Sequence, residues 1–406
     1  MTNKLSIIFF LLKVFYVWFD APIGYISITA KYTNEWKKWW QNPDLVQHYE
    51  FMAKDNVPFH SVVFPATLIG SESKTVKWTM VKHLMATEYL NYEEGKFSKS
   101  RGIGVFGNDV ATTKIPSDIW RFYLIYTRPE NADSSFKWDD LMLKNNSELL
   151  ANLGNFCNRA LKFCKEYFGG KVSEVNFLEK DKEILLEINE HLQRYCDGME
   201  NCNQRESIFE VLNISRKGNQ LMQAEKPWVL VKSANQEDKN RAASVVSLCA
   251  NIAALVALLI DPFMPKISNE LLKQLNTTLE NVNVLRENPI FKCVLLPGHE
   301  IGVPAPLIRD IKKDEIDEMK QRFAGTQKER VQPQKTSKAK STNNQTKSDP
   351  EMTKQLEEAI ASHEKAIEWM NKNNSSQENI TAANDILNFL KQTQSTGSKN
   401  KKGKKK

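Results

Sequence analysis

The sequence contains no CxxC pair. Its six cysteines, Cys157, Cys164, Cys196, Cys202, Cys249 and Cys293, are scattered, which leaves no readable zinc site. That usage fits a reducing compartment, with the thiols serving as small core residues. The histidines are sparse and isolated too: no two of His48, His60, His83, His191, His299 and His363 lie close together. Residues 5–12 form an apolar run behind Lys4, as in a signal peptide. The run falls well short of the roughly 20 residues that span a bilayer. No small-residue cleavage site follows, and the run leads straight into a second apolar stretch at 14–19. Residues 1–12 therefore read as an atypical leader rather than a targeting signal, and no membrane is expected as a partner.

What is present is enough chain, 406 residues, for two or three domains. Nine tryptophans support a real core. The net charge of +7 is uneven, because residues 399–406 are almost pure lysine. Such a block suggests an anionic partner, most often nucleic acid; a solvated solubility tail is the bland alternative.

Along the chain, residues 14–20 (VFYVWFD) read as a buried strand. Residues 21–25 break it into a turn and helix. Residues 36–40 and 46–51 read as helical, 59–64 as a second strand, and 66–90 as a helix and a strand ending in a loop at 91–95. Strands alternating with helices argue for a parallel α/β sheet. Beyond about Ile115 the spacing becomes helical, as at Leu149, Leu153, Phe156 and Ala160, then Leu185, Ile188 and Leu192, then Ile208 and Leu212. Residues 245–260 form a strongly apolar helix, buried on several sides, with Pro262 and Pro265 as stops. This is an all-α bundle. Residues 324–350 are polar and read as a disordered linker, before a short helical hairpin marked by Leu356, Ile360, Ile367, Ile380 and Leu387.

One loop carries chemistry. Lys96-Phe97-Ser98-Lys99-Ser100 lies between Gly95 and Arg101-Gly102. Two ammonium groups on a glycine-framed loop suit phosphate and can neutralise charge that builds as a triphosphate is cleaved. A charged loop with no ligand is the plainer alternative. The pentad resembles the KMSKS motif of class I aminoacyl-tRNA synthetases, with phenylalanine in place of methionine. That resemblance implies that the catalytic pair Lys96 and Lys99, with Ser98 and Ser100, grips ATP, and that Lys99 contacts the leaving pyrophosphate.

Trp18-Phe19-Asp20-Ala21-Pro22-Ile23-Gly24-Tyr25 resembles the segment WxDAPIGY of methionyl-tRNA synthetases, and 51–55 (FMAKD) with 59–61 (FHS) resembles a second segment of that family. A thioether needs a polarizable, mostly apolar pocket with one or two weak polar contacts. Trp18, Ala21, Pro22 and Tyr25 can form its wall. Tyr25 and His60 can point a hydroxyl and an imidazole toward sulfur. The resemblance adds Asn56 and Phe64 to the methionine pocket, Phe64 standing where some members place tryptophan, and assigns Asp55 to the nucleotide ribose. Ordinary core packing is the alternative for Trp18 and Phe64, and a satisfied histidine for His60.

Asn155 and Arg159 are four residues apart and share a helix face, while Trp228 follows Pro227 at a helix start. Asn and Arg can bond unstacked base edges, and an indole can stack on one. By resemblance these positions match the family's readers of the CAU anticodon; an exposed polar pair and a packed tryptophan are the plainer alternative. The hairpin at 351–395 resembles a WHEP domain, which implies RNA or other proteins of a synthetase complex as partners.

The resemblance implies a Rossmann-type α/β catalytic part at 13–135, an anticodon-binding helical domain at 136–310, a linker at 311–350, the hairpin at 351–395 and a lysine tail at 396–406. It implies a cytoplasmic methionine–tRNA ligase of the eukaryotic type that uses ATP with Mg2+, methionine and tRNA(Met), with no zinc site in this segment. The HIGH-like histidine motif of class I enzymes is not found, so the expectation is a chain lacking the front half of the catalytic domain and inactive alone. A non-catalytic tRNA-binding or scaffold protein derived from the enzyme is the alternative.

Overall fold

A computed structural model describes residues 21–285 and 289–325, with Glu364, Asn371 and Lys391 besides. The strand expected at 14–20, Trp18 with it, and the hairpin and lysine tail lie outside the described residues. The chain divides into two compact units, 1–331 and 332–406. In the second, Lys391 is paired with Glu364 at 2.6 Å. Both sheets and the helical bundle belong to the first.

Pro22, with φ already helical at −60°, starts helix α1 at Ile23–Tyr32. A short helix, Lys37–Trp40, comes next. Strand β1, His48–Ala53, occupies the segment expected to be helical at 46–51. The correction has a tertiary cause: β1 pairs in parallel with β2, Val81–Thr87, with Glu50 opposite Leu84, and that pairing overrides a weak local preference. The strand expected at 59–64 is also corrected. Pro58 opens a π-helical turn, Phe59–Val63, which runs on into helix α2, Phe64–Ser71, with Pro65 in its first turn. A short apolar run does not distinguish strand from helix by period alone. Strand β3, Leu90–Tyr92, pairs in parallel with β4, Ser134–Phe136, across helix α3, Ser117–Tyr126. Both pairings are parallel, as the alternation of elements requires.

Helix α4, Trp138–Lys144, passes through a π-helical stretch, Asn145–Gly154, into α5, Asn155–Tyr167. Then come α6, Glu179–Glu200, α7, Gln204–Glu225, α8, Gln236–Ile260, and α9, Pro265–Gln274. Asn235 caps α8 by accepting the Glu237 N–H at 3.0 Å. From Ser244 to Ile260 every residue of α8 is buried. The helix is long and apolar enough to cross a bilayer, yet it is the core rod of this bundle. Each large aliphatic side chain so buried contributes roughly 1.5–3 kcal/mol.

Helix α3 joins the two parts. Arg121 donates to the Pro262 and Phe263 carbonyls just past α8, both at 2.7 Å. Asp118, buried, accepts the Ile267 N–H at the start of α9 at 2.8 Å. Cation at a carboxyl end and anion at an amino end both match the helix dipoles.

The linker expected at 311–350 is corrected at its start. Residues Lys313–Arg322 form helix α10, with Ile316 fully buried and Met319 nearly so. Asp139 of α4 accepts from Lys313 at 2.6 Å and from Lys320. Phe323 stacks on Trp138 at 5.9 Å. Residues 326–350 lie outside the described residues.

Candidate functional site

Pro22 is buried at the entry to α1, while Ala21 and Tyr25 are exposed. Tyr25 reaches across to the turn after β1. Its hydroxyl lies 2.9 Å from His60 Nε2, and His60 Nδ1 lies 2.8 Å from the Asn56 carbonyl. A carbonyl only accepts, so in the neutral ring Nδ1 carries the proton and Tyr25 donates to Nε2. The hydroxyl proton expected to face a sulfur is thus given to His60, and the tyrosine oxygen keeps its lone pairs for a further donor. Phe64 lies 6.0 Å from the Tyr25 ring and 6.1 Å from that of Trp40. Tyr25, Asn56, His60 and Phe64 are therefore brought together; Trp18 lies outside the described residues.

Two side chains here, His48 and Glu50, escape a reading of the sequence. Strand β1 turns His48, Glu50 and Met52 to one face. Glu50 is 6% exposed, and neither carboxylate oxygen has a hydrogen-bond partner. His48 Nε2 stands 3.4 Å from it, too poorly placed to bond, and His48 Nδ1 is likewise without a partner. Burial pushes the Glu50 carboxyl up, with His60 opposing, and burial then His60 push His48 down. Burial and the Glu50 charge raise Tyr25. Trp40 packs edge-on against His48 at 4.9 Å and donates to Thr29 Oγ1 at 2.9 Å. A hollow of about 500 Å3 opens beside Trp40 and His48, lined by Tyr32, Trp39 and Tyr49 rather than by the expected pocket residues. The signal for His48 and Glu50 was alternation, legible only once 48–53 is read as a strand.

At the carboxyl ends of β1 and β2, where open α/β sheets bind ligands, Asp55 accepts the Tyr89 hydroxyl through Oδ2. Lys54 lies over the Tyr89 ring at 4.3 Å and pairs with Glu88, and the Asp133 carboxylate accepts the Tyr89 N–H at 3.0 Å. Tyr89 fixes the carboxylate that sequence reading assigned to a ribose.

The lysine loop is a small hairpin. Tyr92 and Gly95 exchange backbone bonds at 2.8 and 2.9 Å, and Ser98 and Ile103 do so at 2.9 and 3.0 Å. Between them Lys99–Arg101 form one 3-10 turn, closed by Gly102 at φ +65°. Lys96, Lys99 and Ser100 are exposed, whereas Ser98 is half-buried and accepts from Arg101 Nε at 3.0 Å. Phe97 packs on Tyr92 and Phe106, and its ring fills the place of a Gly104 side chain: a Cβ there would meet it at 2.3 Å. Behind the loop, Gly104 N–H donates to the Phe323 carbonyl at 3.0 Å, and Ile103 bridges Ala324. No hydrogen bond or ion pair joins Lys96 or Lys99 to the Tyr25–His60 cluster among the described residues.

On the bundle, Arg159 of α5 lies over the Trp228 ring at 5.4 Å. Trp228 sits in the short helix Pro227–Leu230 and is half-buried; Asn155, one turn before Arg159, is exposed. The three expected base readers thus share one surface. No group of three or more His, Cys, Asp or Glu side chains suited to a metal ion occurs among the described residues.

Two family models match. Residues 11–161 match tRNA synthetases class I (M), and residues 173–328 match the anticodon binding domain of methionyl tRNA ligase. The cytoplasmic methionine–tRNA ligase of Xenopus laevis is 53% identical over 315 residues, which covers 78% of this chain and 34% of that protein. The human cytoplasmic enzyme is 50% identical over the same shares. That of Arabidopsis thaliana is 45% identical, covering 78% and 40%. The chain thus spans about a third of the length of these relatives. Among solved structures, apo methionyl-tRNA synthetase of Mycobacterium tuberculosis superposes with a TM-score of 0.61 at 20% identity, covering 74% of this chain and 56% of that one. Its complex with methionyl-adenylate gives 0.61 at 22%, covering 72% and 56%. At those identities the likeness is one of fold.

Proposed function

Because this chain belongs to the methionyl-tRNA synthetase family, we propose that it serves methionine–tRNA ligation in the cytoplasm. In that reaction the methionine carboxylate attacks the α-phosphorus of ATP, the bond to pyrophosphate breaks, and methionyl-adenylate forms. A tRNA(Met) hydroxyl then takes the methionyl group, and AMP leaves. The observation that carries this reading is the Tyr25–His60–Asn56 chain with Phe64 beside it, an aromatic wall with a single oriented polar tip. Ala21 and Pro22 extend that wall toward a thioether. Asp55, held by Tyr89, takes a ribose hydroxyl with its other oxygen. Lys99 meets the charge that grows on departing pyrophosphate, with Lys96, Ser98 and Ser100 around it and Mg2+ arriving with ATP. Asn155, Arg159 and Trp228 read the anticodon.

We further propose that these 406 residues do not complete the adenylate step alone. Tyr25, at the tip of that wall, is 44% exposed, which leaves methionine without an enclosing wall on that side. Purified chain should bind a CAU anticodon stem-loop yet show no methionine-dependent exchange of pyrophosphate into ATP. Robust exchange by the chain alone would refute the second proposal. In a longer form extended to the full length of the relatives, Lys99→Ala should slow exchange by about 10²–10³-fold. Unchanged exchange in that variant would overturn the ligase assignment of the loop. A tRNA-binding role without catalysis is the second reading, favoured if the longer form binds tRNA and exchanges nothing.

A further inference from the structure

Beside Asn155, on the flank away from Trp228, α5 and the segment 306–308 enclose a hollow of about 390 Å3. That volume lies in the range of small-ligand sites, roughly 300–1,000 Å3. Its walls are Leu150, Pro306 and Leu307, and its polar groups include the amides of Asn155 and Asn158. Gly154 permits the close approach of the two segments, since a Cβ there would stand 3.3 Å from Ile308 and 3.1 Å from the Leu149 carbonyl. No carboxylate lines the hollow. Neither Asn155 nor Asn158 spends its side-chain amide on a partner among the described residues, although the neighbouring Asn152 amide donates to the Leu212 carbonyl and accepts from Ser215 and Asn219.

We propose that this hollow receives a single unstacked nucleobase, with Asn158 as a base-reading residue. The inference rests on the anticodon reading of Arg159 and Trp228. Helix geometry places Asn155 in the middle of the face, with Arg159 about 40° to one side and Asn158 about 60° to the other. Two adjacent bases therefore fit around Asn155: one against the Arg159–Trp228 pair, the next in the hollow. A primary amide offers a donor and an acceptor side by side, which matches a base edge. The proline and leucine walls take the flat face of the ring, and the Arg159 guanidinium draws the anionic backbone toward both.

The test is binding of the full chain to a CAU anticodon stem-loop at one fixed salt concentration, followed by fluorescence anisotropy. Asn158→Ala should raise Kd about tenfold, and Leu307→Trp, which fills the hollow, should do the same. With three RNAs abasic at one anticodon position each, Asn158→Ala should become neutral for one RNA only, which identifies the occupant. If both variants bind within twofold of the parent while Trp228→Ala weakens binding, the hollow is no base site and the anticodon reading stands. If Trp228→Ala and Arg159→Ala also bind like the parent, that reading falls with it. Equal weakening by Asn158→Ala with all three abasic RNAs signifies general loosening of α5 and overturns the proposal.

Discussion

Two buried carboxylates in this chain have opposite surroundings, and acid should separate them. Glu50 has no hydrogen-bond partner, and burial pushes its carboxyl up. The folded state then binds a proton more readily than the unfolded one. Its contribution is most favourable below the ordinary carboxylate range and declines as pH rises through the raised value. Glu50→Gln should therefore stabilise the chain by about 1 kcal/mol near neutral pH, and the gain should vanish near pH 4 in paired thermal melts. Asp181 is fully buried too, but Arg241 grips both of its oxygens at 2.6 Å and also reaches Glu225 at 2.8 Å. Burial alone would raise Asp181; the guanidinium overrides it and holds the carboxyl below its usual range. That stability is present above the unfolded value and is lost as pH falls. Arg241→Met strands a buried anion and should cost about 3–5 kcal/mol at neutral pH, less in acid, read as a shift in the urea midpoint.

At the scale of elements, the loop of Lys96 and Lys99 depends on what stands behind it. Gly104 has φ +106° and no room for a side chain. Gly104→Ala should destabilise by about 1–3 kcal/mol and speed amide exchange across 96–103, with protection in α8 unchanged. The elements were unevenly legible in the sequence. The apolar run ending at Ile260 read as a buried helix, and the 3.6-residue spacing of Leu149, Leu153 and Phe156 was equally plain. Residues 46–51 and 59–64 exchanged identities because each is short, and β1 is a strand only through β2, more than 30 residues later. Strand β4 has three residues, too few for a period to show. Residues 311–323 look polar because α10 buries only one stripe, Ile316 and Met319. In the site, family-like segments marked Tyr25, His60 and Asp55. Tyr89, which holds Asp55, carries no pattern of its own and emerges only from three-dimensional contacts.

For the molecule as a whole, the bundle should outlast the α/β part. Its core is continuous from Leu149 to Ile316, while Tyr32, Leu45 and Ile69 of the α/β part are 90%, 84% and 61% exposed. Limited proteolysis should leave a stable fragment spanning about 140–310; loss of all fragments in that span would contradict the reading. RNA binding should also weaken steeply between about 50 and 200 mM salt, as expected of a basic chain that releases counterions. The tie between Ile103 and Ala324 has a consequence in time. During synthesis at about 5–20 residues per second, the segment that braces the lysine loop emerges on the order of 10–40 s after the loop itself. Until then the two ammonium groups sit on an unbraced ribbon. A chain ending before Phe323 would carry the loop without its brace, so the loop reaches its final form last.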